Sequence, residues 1–180
     1  MRIWMSQDVA GTQALAAAVA RALGKDLSPR LFCLEGPLGA GKTAFVQGLA
    51  RGLGVIESVT SPTFGLIREH ALPASQSALD RLAHMDFYRL AGAAEARDLG
   101  LDDELDDPGT LVVIEWPERA EAAIPPAGLR IAIQPVSVDA SDRRRIVIRA
   151  LDGPAAALLA DIDARAAGLD EIILAPADRG

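Results

Sequence analysis

The segment Gly36-Pro37-Leu38-Gly39-Ala40-Gly41-Lys42-Thr43 constrains this chain more than any other part of it. It fits G-x-x-x-x-G-K-[ST], the phosphate-binding (Walker A) loop, and it is entered directly from the apolar run Leu31-Phe32-Cys33-Leu34. That context predicts a buried strand before the loop and a helix after it. Three glycines let successive backbone N–H groups curl around a phosphate without obstruction by side chains. The following helix aims its positive end at the same anion. Lys42 adds a cation for the outer phosphates, and Thr43 adds a hydroxyl for Mg²⁺. A turn that merely joins strand to helix needs neither Lys-Thr pair nor amphipathic helix, yet Phe45, Val46, Leu49 and Leu53 mark one helical face ending at Gly54. The loop predicts nucleotide binding.

Around this unit the pattern alternates. Residues 2–5 read as a strand, with Ser6 and Asp8 as candidate helix caps. Leu15, Ala18, Val19, Ala22 and Leu23 recur at helical spacing up to Gly24. Phe64 to His70 and Leu82 to Tyr88 read as a hairpin across a polar loop at 73–80, and 92–106 as one helix or two short ones. Leu111-Val112-Val113-Ile114 is a second continuous apolar run, as expected of a strand buried on both faces. Leu129 to Ile133 and Arg145 to Ile148 read as further strands, followed by an Ala-rich helix from about Pro154 to Ala166. The expected fold is α/β: a P-loop NTPase-like layered arrangement with a mixed, centrally parallel sheet flanked by helices. Ligands in such sheets bind at the carboxyl ends of the strands. The expected organisation is one domain over 1–166 and a loosely held tail over 167–180.

Charge narrows the partners. The 180 residues carry a net charge of −7, which argues against a broad basic surface for nucleic acid. RNA, if involved, is expected to be held by a partner, and no DNA is expected. The single cysteine, Cys33, lies within the first apolar run and reads as a small buried hydrophobe. No apolar stretch reaches the length of a membrane span and the N-terminus lacks a signal pattern, so a cytoplasmic protein is expected.

A P-loop protein needs a carboxylate for Mg²⁺ and water. Glu115, directly after Leu111 to Ile114, is the first candidate; the bland alternative is an ordinary acid at a strand end. Trp116 beside it either covers the nucleotide, faces a partner, or simply packs. Asp86 is an acid inside a strand-like run, facing the metal or a nucleophilic water, or else paired with Arg89 or another basic residue. His84 reads as a packed or capping histidine, and with only His70 besides, a zinc cluster is not expected. The acids at 102–107 lack the spacing of a calcium loop and read as a solvated helix face. Thr60 to Thr63 is either a switch-like loop that reaches the γ-phosphate or only a turn. Arg143, Arg144 and Arg145 either reach the nucleotide or solubilise a strand start.

The loop, Ser61-Pro62-Thr63-Phe64, Asp86-Phe87-Tyr88-Arg89-Leu90 and Val113-Ile114-Glu115-Trp116-Pro117-Glu118, in that order, resemble the TsaE (YjeE) family over roughly residues 5–150. The resemblance implies a bacterial ATPase required for threonylcarbamoyladenosine at position 37 of tRNAs that read codons beginning with A. It implies work with a complex of TsaD and TsaB, with TsaC making the threonylcarbamoyl-adenylate separately and tRNA reached only through the partners. ATP and Mg²⁺ are the implied cofactors. Gly36, Leu38, Gly39, Ala40, Gly41, Lys42, Thr43 and Ala44 would hold the phosphates, and Thr43 and Glu115 would hold Mg²⁺. Lys42, Asp86 and Glu115 would be catalytic. Thr63 would belong to the switch segment, Trp116 and Thr12 would lie near the nucleotide, and Arg145 is taken from the 143–145 trio as the residue near the base. No arginine finger stands out, which implies slow hydrolysis by the protein alone. The competing readings are a small-molecule or nucleotide kinase, for which no lid is evident between 117 and 145, and a non-catalytic nucleotide-sensing subunit.

Overall fold

The two continuous apolar runs become neighbouring strands at the centre of the sheet. The structure, a computed structural model, describes residues 1–23, 29–62, 65–73, 79–136, 142–166, 169 and 172–175. In chain order its elements are β1 (Arg2–Ser6), α1 (Val9–Ala22), β2 (Leu31–Glu35), α2 (Lys42–Gly52), β3 (Ile67–Ala71), β4 (Arg81–Asp86), α3 (Ala93–Asp98), α4 (Leu101–Asp106), β5 (Thr110–Glu115), β6 (Leu129–Pro135), β7 (Arg144–Ala150), α5 (Gly153–Ala166) and β8 (Ile172–Ala175). Two short 3-10 turns, Pro117–Arg119 and Glu121–Ala123, follow β5.

The strands order β3-β4-β5-β2-β6-β7-β1-β8. Pairs β4/β5, β5/β2 and β2/β6 are parallel; β3/β4, β6/β7, β7/β1 and β1/β8 are antiparallel. This is the mixed, centrally parallel sheet expected of a P-loop NTPase-like fold. Both faces of its centre are covered, which is why β2 and β5 read as unbroken apolar runs. On one face Phe32, Leu34, Leu111, Val113 and Ile131 pack under Leu15 and Val19 of α1, Phe45 and Leu49 of α2, and Ile162 of α5. On the other, Cys33, Met85, Val112 and Ile114 pack under Ala96, Leu101 and the 3-10 turns. Burying a side chain such as Phe45 fully stabilises by about 2 kcal/mol or more.

Local signals explain the boundaries. Asp8 caps α1, its Oδ1 accepting from Gly11 N at 2.7 Å. Ser6, the other candidate cap, instead pairs its hydroxyl with Thr12 Oγ1 at 2.8 Å. The stop expected at Gly24 lies outside the described residues. Helix α1 rests closely on α2 because Gly48 has no side chain: a Cβ there would lie 2.3 Å from Gln13 O. Strand β3 begins later than its alternation suggests, since Leu66 at φ +62° closes a turn before Ile67. The 92–106 segment is two helices. Its acids are not purely solvated: Glu104 and Asp107 hold Arg81 at 3.2 and 2.7 Å. Burial pushes the Cys33 thiol up to about 12, so it stays a thiol, in keeping with its expected role.

The tail expected over 167–180 contains a strand. Ile172–Ala175 pairs antiparallel with β1, Ile3 opposite Ala175 and Ser6 opposite Ile172, and extends the sheet by one edge. Among the described residues no helix is long and apolar enough to cross a membrane.

Candidate active site

The register of three parallel strands brings the acids to the phosphate-binding loop. Leu34 of β2 is opposite Glu115 of β5, and Glu115 is opposite Asp86 of β4. The two carboxylates therefore sit side by side at the carboxyl ends of adjacent strands, level with the start of the loop. Residues in register on neighbouring strands point to the same face, and here that face carries α2. A cleft of about 370 Å³ is lined by Leu38 to Thr43, Ser61, Asp86, Tyr88, Glu115 and Trp116. A larger depression of about 740 Å³ opens at the opposite end of β2, against Pro29, Arg30, Leu31 and Gly128. It holds none of the loop residues, so the smaller cleft is the candidate site.

Within the cleft Lys42 is buried, and its ammonium donates to Gly36 O at 2.7 Å and Pro37 O at 3.0 Å. Its Nζ also lies 3.5 Å from the centroid of the Trp116 ring. Trp116 reaches that position with φ +60°, a left-handed backbone that an aromatic residue rarely adopts. Tyr88 packs against the indole with centroids 5.0 Å apart. Burial lowers the Lys42 pKa, while the nearby carboxylates of Glu115, Glu118 and Asp86 oppose that shift.

The acids are held by different donors. Glu115 Oε1 accepts from Thr43 Oγ1 at 2.9 Å and lies 2.9 Å from His84 Nε2. Asp86 Oδ2 accepts from Ser61 Oγ at 2.6 Å, and Oδ1 accepts from the Tyr88 amide at 3.0 Å. A hydroxyl in contact with a buried carboxylate is a hard oxygen donor set, suited to Mg²⁺. Among the described residues no group of three or more His, Cys, Asp or Glu forms a cation cage. Mg²⁺ does not need one, since it keeps waters and shares few protein ligands with the phosphates of its nucleotide.

Of the residues expected at the site, Leu38 to Thr43, Asp86, Glu115 and Trp116 line this one cleft, while Gly36, whose carbonyl accepts from Lys42, and Ala44 do not. Thr12 is buried in α1, with its hydroxyl on Ser6 Oγ and on Asp8 O at 3.3 Å, and it does not line the cleft. Thr63 lies outside the described residues. In the arginine trio it is Arg144 that reaches the loop, its Nε donating to Ala40 O at 2.9 Å. Arg145 alternates to the opposite face of β7 from Arg144 and the core residues Ile146 and Ile148.

The sequence does not single out His84 and Tyr88 as site residues, and it offers Ser61 only within the 60–63 loop and Arg144 only as one of the 143–145 trio. The signal for His84 was present: on a strand it shares the face of Asp86, two residues on. The signal for Arg144 was the same alternation, counted back from Ile146.

A family model described as threonylcarbamoyl adenosine biosynthesis protein TsaE matches residues 6–146. The tRNA threonylcarbamoyladenosine biosynthesis protein TsaE of Bacillus subtilis (strain 168) is 40% identical over 121 residues, 66% of this chain and 68% of that protein. The protein of the same name from Streptomyces coelicolor is 42% identical over 118 residues, 65% of this chain and 76% of that one. The crystal structure of Bacillus subtilis YdiB superposes with a TM-score of 0.70 at 31% identity, covering 90% of this chain and 93% of that chain. By its matched length, its relatives and its fold, the chain belongs to the TsaE family of threonylcarbamoyl adenosine biosynthesis proteins.

Proposed function

We propose that this chain is the ATP-hydrolysing subunit of a machinery that forms threonylcarbamoyladenosine at position 37 of tRNAs reading codons that begin with A. The observation that carries the chemistry is the Thr43–Glu115 hydrogen bond of 2.9 Å at the mouth of the phosphate-binding loop. It joins the hydroxyl and the carboxylate that a hydrolytic P-loop site uses. The assignment to tRNA modification rests on family membership.

In this reading the loop amides and the start of α2 bind the phosphate chain. Lys42, held between two loop carbonyls and the Trp116 ring, turns its ammonium to the outer phosphates. Thr43 and Glu115 would hold Mg²⁺, which when bound offsets phosphate charge and fixes the reacting group. Asp86, on the same cleft wall, orients the attacking water through a carboxylate already aimed by Ser61 and the Tyr88 amide. Water adds to the γ-phosphorus, the bond to the β-phosphate oxygen breaks, and ADP and phosphate leave. Trp116 and Tyr88 shield one side of the cleft.

TsaB and TsaD are the proposed partners, and the tRNA is engaged through them. The acidic balance of the chain, −7 overall, supports leaving the RNA to others. Hydrolysis by the isolated protein is slow in this reading, because among the described residues Lys42 is the cation that lines the cleft. Phosphate release measured with and without a TsaB–TsaD complex tests this. The expected result is acceleration of at least about tenfold, since a charge supplied from outside the active site accelerates P-loop hydrolysis by large factors. Equal rates would overturn partner activation, and transfer of phosphate to an added metabolite in place of release would overturn the ATPase reading.

A further inference from the structure

One buried titratable side chain beside the site has no part in the reading above. His84, in the middle of β4, is fully buried and does not line the cleft. Its Nε2 lies 2.9 Å from Glu115 Oε1, while its Nδ1 is buried without a hydrogen-bond partner among the described residues. Burying a polar ring with one nitrogen unsatisfied costs stability relative to an aliphatic side chain of similar size. Leu82, two residues earlier on the same face, shows that β4 accommodates such a side chain. What the imidazole adds at position 84 is a single N–H aimed at Glu115.

We infer that His84 is a positioning residue for the cation site: its Nε2–H fixes the Glu115 carboxylate so that Thr43 and the remaining carboxylate oxygen are presented together. This rests on the reading of Thr43 and Glu115 as the Mg²⁺-holding pair. The geometry follows from the strands. His84 is opposite Val113 in the register, and Glu115 is two residues beyond Val113 on the same face, so the ring reaches diagonally along β5. Glu115 Oε1 then takes two donors from two different elements, His84 on β4 and Thr43 on α2. Two donors on one oxygen hold the carboxylate plane, and Oε2 keeps its lone pairs for other use. Thr43, spending its proton on Oε1, keeps its oxygen lone pairs for the cation.

The contact also separates two acids. Asp86 and Glu115 are in register on adjacent strands, and like charges that close repel. Asp86 is compensated by Ser61 and the Tyr88 amide, Glu115 by His84 and Thr43, with no donor shared between them in these contacts. Each carboxylate keeps its own orientation.

The test compares His84→Gln, His84→Asn and His84→Leu in the full chain. A Gln side-chain amide extends about as far from the backbone as imidazole Nε2; the Asn amide is one methylene shorter, and Leu has no donor. Affinity for a fluorescent ADP analogue is measured in EDTA and across a Mg²⁺ titration, with kcat and KM for ATP and the thermal midpoint alongside. The expected result is that Asn and Leu raise the Mg²⁺ concentration for half-saturation about tenfold and lower kcat by a similar factor, the scale of one lost hydrogen bond to a charged group. ADP affinity in EDTA should change by less than about twofold, and Gln should recover Mg²⁺ dependence to within about threefold, by the same scale. If Leu does not fold, the Gln–Asn comparison decides alone. Equal Mg²⁺ dependence across all variants and wild type, or equal defects in Gln and Asn, would overturn the proposal. The wild-type arm stands apart: nucleotide binding by wild type that ignores Mg²⁺ would instead remove the metal-pair reading beneath it.

Discussion

Gly36→Ala should cost on the order of 3 kcal/mol of stability, combining a strained backbone with a steric clash. Gly36 has φ +138°, outside the region open to L side chains, and a Cβ there would lie 2.2 Å from Ile133 O and 3.3 Å from the Ala40 side chain. Both obstacles face Gly36 at the join between β2 and the loop. The carbonyl belongs to β6, a central strand paired to β2, so it cannot retreat without breaking the ladder. The thermal midpoint should fall by about 10 °C for a chain of this length. Nucleotide affinity should fall as well, because the loop can accept the methyl only by moving off β6. Gly39→Ala is the control. Its φ is +75° but nothing lies within 4 Å of an added Cβ, so it should cost only about 1 kcal/mol. Differential scanning calorimetry on the two variants checks the difference. Equal midpoints would mean that the close approach of loop and β6 has no energetic weight.

Glu115→Ala should lower kcat for ATP hydrolysis by on the order of a hundredfold or more, the scale seen when a shell around a catalytic cation is disrupted. Three effects act together. The substitution removes the carboxylate proposed to help hold Mg²⁺, frees the Thr43 hydroxyl, and leaves His84 Nε2 buried without its acceptor. Affinity for nucleotide in EDTA should change little, because the loop amides and Lys42 do not depend on Glu115 for their positions: Lys42 is held by Gly36 O and Pro37 O. Asp86→Asn, by contrast, keeps the Thr43–Glu115 pair and should lower kcat while leaving the Mg²⁺ requirement near that of wild type. Steady-state phosphate release and a Mg²⁺ titration of both variants separate the two roles. A Glu115→Ala protein that hydrolyses ATP normally would place the metal pair elsewhere.

The centre of the fold was legible because its physics is local in sequence. A strand buried on both faces must be apolar throughout, and Leu31 to Leu34 and Leu111 to Ile114 are. A phosphate loop needs small residues, then Lys-Thr, at fixed spacing, and Gly36 to Thr43 meets that. The acids at 86 and 115 stood out because each interrupts or ends such a run.

What was not legible depends on distant partners. Residues 172–175 are a short apolar run, Ile-Ile-Leu-Ala, but its place as a strand depends on the edge that β1 offers some 170 residues earlier. Arg144 and Arg145 are neighbours in a basic trio, and only the face on which Ile146 is buried decides which one reaches Ala40. The left-handed Trp116 looks from sequence like any residue before a proline. Its conformation matters because it sets the indole against Lys42. A lone histidine in a strand is more often packing, and the contact of His84 with Glu115 emerges only when β4 and β5 are in register.

The most direct test of the central claim is reconstitution of threonylcarbamoyl transfer to tRNA with TsaB, TsaD and an excess of threonylcarbamoyl-adenylate, followed over many turnovers with wild type and with Lys42→Ala. Wild type should sustain product formation beyond one equivalent of the complex, whereas Lys42→Ala, deprived of the cation proposed to bind the outer phosphates, should stall at or below it. Equal multi-turnover yield from the two proteins would contradict the account.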